Sequence, residues 1–178
     1  MEEQFSGTTK NGCVITGFSI SDVKGKIEYC NHLPHLLSGQ TAFHFTPYRF
    51  EEYDVHYDSG SRGDEIKYRD IKASKYLDEG FMIEKNKYDK LMEFDEGYYV
   101  CFFKKSNLSL VWDVRKIRPP KWEIMKCPEN TQFGGYNKKV DKVVNKLSYD
   151  DAITILWKNR GLNNKEKARC KEWLKKGN

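Results

Sequence analysis

Long hydrophobic runs are missing from this sequence. No stretch approaches the roughly 20 apolar residues that a membrane-spanning helix requires, so no membrane partner is expected. The opening residues, Met1-Glu2-Glu3-Gln4-Phe5, have neither a basic region nor an apolar core, and no signal peptide is expected. Five cysteines stand at 13, 30, 101, 127 and 170, an odd number with no CxxC pair. That pattern fits a reducing setting best: cytoplasm, or the host cell interior for a viral chain. Also missing are internal repeats, low-complexity tracts and a phosphate-cradling loop. Gly60-Ser61-Arg62-Gly63 has no Walker lysine and no helix after it.

What is present is charge and aromaticity. Charged residues make up 32% of the 178, and aromatics 14%, enough large rings to build a core in a chain of one-domain length. The charge is uneven. From Arg115 onward there are 17 basic and 7 acidic residues, against 14 basic and 19 acidic before it. An acidic front half suits a metal site and a basic back half suits a polyanion. Solvated lysine-rich helices would give the same count.

Hydrophobic periodicity predicts a mixed sheet flanked by helices, an α/β class. Residues 1–10 read as loose and 13–20 as a strand. A helix is expected from Ser21 to about Leu37, bent at Pro34, with Ile27, Leu33 and Leu36 inward. Strands are expected over 41–45, 51–57 and 65–73, with 59–64 as a hairpin loop. A helix over 84–94, using Tyr88, Leu91 and Met92, ends near Gly97. Strands over 98–103 and 108–114 follow. After Arg115 periodicity weakens, and two basic helices are expected, one from Ser148 to about Gly161 and one from Asn164 to Lys176. The organisation is read as 1–115 forming a core and 116–178 a basic helical extension packed on it, in one domain overall.

Within the strand expected over 65–73, alternation puts Ile66, Tyr68, Asp70 and Lys72 on one face. Asp70-Ile71-Lys72 stands sixteen residues after Asp54. A carboxylate and an ammonium on one strand face, with a second carboxylate from the strand before, suit Mg²⁺-assisted attack of water on phosphorus.

The stretch Tyr53-Asp54-Val55 followed by Arg69-Asp70-Ile71-Lys72-Ala73-Ser74 resembles the active-site hairpin of the PD-(D/E)XK, or restriction-endonuclease-like, nuclease superfamily. The motif covers about twenty residues, and the order of elements about residues 20–115. Two positions depart from the pattern: Tyr53 replaces the usual proline, and Asp70 the commoner glutamate. The resemblance implies a restriction-endonuclease-like core with Asp54, Asp70 and Lys72 catalytic. It implies Mg²⁺, with Mn²⁺ as a substitute, bound by Asp54, Asp70, the backbone carbonyl of Ile71 and Glu28 on the first helix. Lys72 would position water and stabilise the phosphorane.

Asp58 and Asp64 are rivals for the first acid, because alternation also aligns Asp54, His56 and Asp58. His44 and His56 could touch phosphate, although ordinary strand histidines explain them as well. Cys30-Asn31-His32-Leu33-Pro34-His35 offers zinc-type donors, but no second cluster completes four ligands. Lys85, Lys87 and Lys90 could contact phosphates, Lys87 first. Lys165, Lys167 and Arg169 could contact nucleic acid from the last helix, with the final helix pair as a helix-turn-helix or a packing hairpin.

The function expected is a Mg²⁺-dependent endonuclease, a hydrolase of phosphodiester bonds with DNA favoured, dimeric if it cuts duplex symmetrically. The alternatives are an RNA endonuclease of the same fold and a catalytically inactive nucleic-acid-binding module.

Overall fold

A computed structural model describes residues 5–32, 42–46, 53–77, 80–129, 138–156 and 162–177. Among these residues the class is mixed α/β, with three α-helices and strands that are mostly antiparallel.

The chain begins with a hairpin of β1 (Phe5–Thr8) and β2 (Val14–Gly17), followed by α1 (Ile20–His32). Next come β3 (Phe43–Phe45), β4 (Val55–Tyr57) and β5 (Arg62–Arg69), an antiparallel meander. The short strand β6 (Phe81–Glu84) leads directly into α2 (Lys85–Leu91). The chain then returns as β7 (Glu96–Phe103), parallel to β5 over eight paired residues, and turns back as β8 (Leu108–Asp113). Parallel neighbours need a crossover, and β6 with α2 supplies it.

The last third adds β9 (Glu123–Pro128), β10 (Lys139–Leu147), β11 (Ile153–Leu156) and α3 (Asn164–Lys175). β11 extends the main sheet to six strands in the order β11-β8-β7-β5-β4-β3, while β6, β10 and β9 form a smaller sheet.

β7 organises the core because both its faces are apolar, as a central strand demands. Tyr99, Cys101 and Phe103 join Leu108, Leu110, Trp112, Leu91, Ile83 and Leu174 on one side. Tyr98, Val100 and Phe102 join Val55, Tyr57, Ile66 and Tyr29 of α1 on the other. The sheet is thus covered by α1 on one face and by α2, the small sheet and α3 on the other. Trp112 Nε1 donates to Ser148 O at 2.7 Å, and the Tyr99 hydroxyl donates to Met82 O at 2.9 Å. Both bonds tie the second layer to the sheet. Arg115 donates to Met92 O and Phe94 O at 2.7 and 2.8 Å, serving carbonyls that the end of α2 leaves open.

Several expectations are corrected. Residues 5–8, expected to be loose, pair with β2. The strand expected over 65–73 runs instead from Arg62 to Arg69, because its partner β7 ends at Phe103, opposite Arg69, where Lys104–Ser106 turns away. Ala73–Tyr76 is a 3₁₀ turn. The helix expected from Ser148 is a single 3₁₀ turn, Tyr149–Asp151, followed by β11. Ser148 does cap that turn, but Ile153-Thr154-Ile155 is β-branched throughout and meets the open edge of β8, which favours a strand.

The extension is therefore mainly strands with one helix among its described residues, and the expected helix-turn-helix lacks its first helix. Gly97 does not end α2; it lies inside β7. On α1 the buried face is Val23, Lys26 and Tyr29 rather than the one through Ile27. Leu33, Pro34, His35 and Leu36 lie outside the described residues.

Candidate functional site

Three segments meet on the sheet face covered by α2. The first is the turn into β4, which carries Asp54. The peptide N–H of Asp54 donates to Asp64 O at 2.9 Å, and one oxygen of its carboxylate accepts from Ile66 N at 2.6 Å. Its side chain therefore takes the place of a ladder carbonyl where β4 and β5 separate. The second segment is β5 itself. Strand alternation sends Ile66 and Asp64 toward α1, so Glu65 and Lys67 point the other way. The third is α2, from which Lys87 reaches down.

Glu65 is the centre of this arrangement. Its side chain is 1% exposed, and Lys87 Nζ lies 2.6 Å from its Oε1. Lys67 pairs with the same oxygen. The other oxygen, Oε2, is buried with no hydrogen-bond partner among the described residues. Burial acts to raise the Glu65 pKa, but the two ammoniums outweigh it and hold the carboxyl below its ordinary value. Lys67 behaves reciprocally. Burial works against its charge, yet Glu65, Tyr99 and Asp54 hold its pKa above the usual lysine value. Lys67 is thus a fixed cation, 33% exposed at its side chain.

Asp54 is the perturbed member. Burial, then the neighbouring Glu65 charge, push its pKa up to about 7; Lys67, Lys87 and the Ile66 N–H only partly offset this. Two carboxylates forced together in a partly dry site disfavour double ionisation. A cation between them would relieve that.

Packing on the outer side holds the turn in place. The Tyr53 ring meets Phe94 edge-on, with centroids 5.2 Å apart. Phe94 lies so close over Gly63 that an added Cβ would stand 2.3 Å from its ring. Only glycine admits that approach.

The structure brings Asp54 together with Glu65 and Lys67, not with Asp70 and Lys72. Asp70 follows the end of β5 and is exposed; four residues past Ile66, it is roughly 13 Å further along an extended chain. Lys72 is exposed and donates to Gly177 O at 2.5 Å. Ile71 is half-buried against the core. Glu28 sits on α1, on the opposite face of the sheet, 3.1 Å from His32 Nε2; burial raises its pKa against the pull of Lys10 and Lys104.

Among the rivals, Asp58 pairs with His44 at 2.7 Å on the surface. Asp64 is fully buried with Arg62 at 2.6 Å on the α1 side. His56 packs against His44 and Tyr53. Lys85 and Lys90 are engaged by Asp89 and Glu93, which leaves Lys87 as the lysine of α2 that enters the site. On α3, Lys165 and Arg169 are exposed, while Lys167 donates to Asp150 O at 2.7 Å. His32 is engaged by Glu28, and Cys30 is half-buried.

The residues missed by sequence reasoning are Glu65 and Lys67. Glu65-Ile66-Lys67 has the same acid-x-lysine form as Asp70-Ile71-Lys72, with the commoner glutamate, eleven residues after Asp54. Placing the loop over 59–64 put the frame five residues too late.

No cage of three or more His, Cys, Asp or Glu side chains occurs among the described residues. Mg²⁺ does not require one: it takes one or two carboxylates and fills its shell with water and phosphate oxygens. Asp54 with the unpartnered Oε2 of Glu65 is a hard-oxygen pair of that kind, so the residues present fit such an ion. Comparison with protein-family models, curated proteins and solved structures finds no match to this chain. No helix among the described residues is long and apolar enough to cross a membrane.

Proposed function

We propose that this chain is a metal-dependent endonuclease of the PD-(D/E)XK type, hydrolysing phosphodiester bonds with DNA as the favoured substrate. The observation that carries the reading is the meeting of Asp54 with Glu65-Ile66-Lys67, one carboxylate oxygen of which is buried without a partner. The order of elements supports it. A helix, a three-stranded antiparallel meander bearing the acids, and a crossover to a strand parallel with the third is the order expected of a restriction-endonuclease-like core.

Asp54 and Glu65 are the residues that would hold Mg²⁺ or Mn²⁺. Bound there, the ion supplies charge stabilisation at the phosphate and a lowered pKa for a coordinated water. Lys67 is held charged by Glu65, so it acts as an electrostatic stabiliser and orienter rather than as a base. Asp54, ionised above its pKa of about 7, supplies the negative charge that balances the ion. If the substrate is duplex cut on both strands, two copies of the chain are expected.

The test is cleavage of plasmid, single-stranded DNA and RNA in Mg²⁺, Mn²⁺ or EDTA, run on the wild type and on two sets of variants. Glu65→Gln and Lys67→Met should each lose at least about 100-fold in rate, while Asp70→Ala and Lys72→Ala retain activity. The reverse pattern would move the site to the later triplet. Cleavage that survives all four substitutions would remove it from this hairpin. Preference for RNA would change the substrate and keep the chemistry. Nucleic-acid binding with no cleavage in either metal would favour an inactive binding module, for which the doubly paired Glu65 would be a structural salt bridge.

A further inference from the structure

We infer that Lys87 is the resting counter-ion of Glu65, a placeholder for the metal that leaves when the metal arrives and then serves the substrate phosphate. This rests on the metal-site reading above and concerns a residue that reading does not use.

Glu65 carries one negative charge, yet two ammoniums sit on its Oε1. Lys67 comes from the same strand, two residues away, and its position follows from strand alternation alone. Lys87 is different. It comes from the first turn of α2, a separate element, and reaches a carboxylate that already has a cation. That second ion pair adds little neutralisation and places extra positive charge beside Oε2, the oxygen left for a metal.

Lys87 is also the more replaceable of the two. Exposure does not separate them, since the side chain of Lys87 is 16% exposed and that of Lys67 33%. The difference is that Lys67 stays on its strand as the proposed catalytic cation, while rotation of the flexible four-carbon stem of Lys87 returns its ammonium to solvent. The neighbouring Lys85 and Lys90 have acidic partners on their own segment. Lys87 is paired with Glu65 and lies near Asp54, the two acids a metal would occupy, so displacement turns it toward a phosphate brought by the substrate. A divalent cation on Asp54 and Glu65 repels a nearby ammonium, whereas an incoming phosphodiester attracts it. Exchange of one cation for the other therefore leaves the positive charge around Glu65 and Asp54 filled both before and after the metal arrives.

The experiment is Mn²⁺ binding to the full chain, followed by electron paramagnetic resonance, for wild type, Lys87→Met and Lys87→Gln, with folding checked by circular dichroism. Met keeps the apolar stem and Gln the polarity, so either folded variant is sufficient. Removing the competing ammonium should tighten Mn²⁺ binding about tenfold, and Lys87→Arg should bind as the wild type does. The same Met variant at saturating Mn²⁺ should cut more slowly, because the phosphate contact is gone. Unchanged or weaker Mn²⁺ binding in the folded variants overturns the placeholder role while leaving the metal site standing. Absence of Mn²⁺ binding in the wild type and the variants alike overturns the metal site itself.

Discussion

At the scale of single residues, burial of Asp54 makes stability depend on pH in a definite direction. Its folded pKa of about 7 lies above the ordinary 3.8, so between those values the metal-free folded protein keeps a proton that the unfolded chain releases. That contribution is fully present below about pH 4 and is lost as pH rises through 7. Asp54→Asn mimics the protonated form and can still accept the Ile66 N–H. Metal-free Asp54→Asn should therefore be more stable than wild type at pH 8, by on the order of 1–3 kcal/mol, and equal to it near pH 4. Urea denaturation at the two pH values measures this. A variant less stable at pH 8 would mean that Asp54 is held ionised by partners stronger than its burial. Mg²⁺ should stabilise the wild type progressively more as pH rises, and Asp54→Asn hardly at all, because the ion must displace that proton.

At the scale of elements, β7 and its neighbours were the most legible from sequence. Residues 98–103 form a continuous apolar run, and a strand buried on both faces is the economical explanation for it. The meander was legible as strands but not in register. Arg62 and Asp64 look like loop residues beside Gly60 and Gly63, yet they form a fully buried pair inside β5, with the guanidinium 4.3 and 4.6 Å from the ring centres of Tyr57 and Tyr98. Burying charges in a strand depends on partners distant in sequence, such as Tyr29 on α1, and local pattern has no access to them. The candidate site inherited that shift in register: the structure sets Asp54 beside Glu65-Ile66-Lys67, five residues before the triplet to which the expected strand pointed. β11 was lost for a related reason, since Ile153, Leu156 and Trp157 fit helical spacing until the unpaired edge of β8 is known.

A backbone contact between elements gives a sharp test of this packing. An added Cβ at Gly97 would lie 2.2 Å from Leu91 O, where the end of α2 presses on the start of β7. That obstacle is backbone and cannot rotate away. Gly97→Ala should cost on the order of 2–4 kcal/mol and should loosen α2, on which Lys87 is carried. Chemical denaturation reads the first effect, and amide exchange at Leu91 to Phe94 the second. A neutral substitution would show that α2 is free to move off the sheet.

At the scale of the whole molecule, the uneven charge acquires a geometry. The basic residues after Arg115 are not an appendage. β10 pairs with β6, β11 completes the main sheet, and Leu147 and Leu174 share a core with Leu91 of α2. The basic third therefore covers the same sheet face toward which Glu65 and Lys67 point. A polyanion drawn to it would lie beside the candidate centre.

On α3, Lys165 and Arg169 are four residues apart and exposed, so they share one helical face, while Lys167 is spent on Asp150 O. If that face meets the phosphate backbone of duplex DNA, Lys165→Gln with Arg169→Gln should reduce the slope of log affinity against log salt by about 1.8, the effect of two lost contacts. Fluorescence anisotropy in EDTA across a salt series measures the slope without cleavage. Single-turnover cleavage at saturating protein should remain unchanged, since neither residue approaches Asp54 or Glu65. Lys167→Gln should instead lower stability more than it changes the slope, because its ammonium anchors α3 to the Tyr149–Asp151 turn. An unaltered slope in the double variant would turn this face of α3 away from the polyanion.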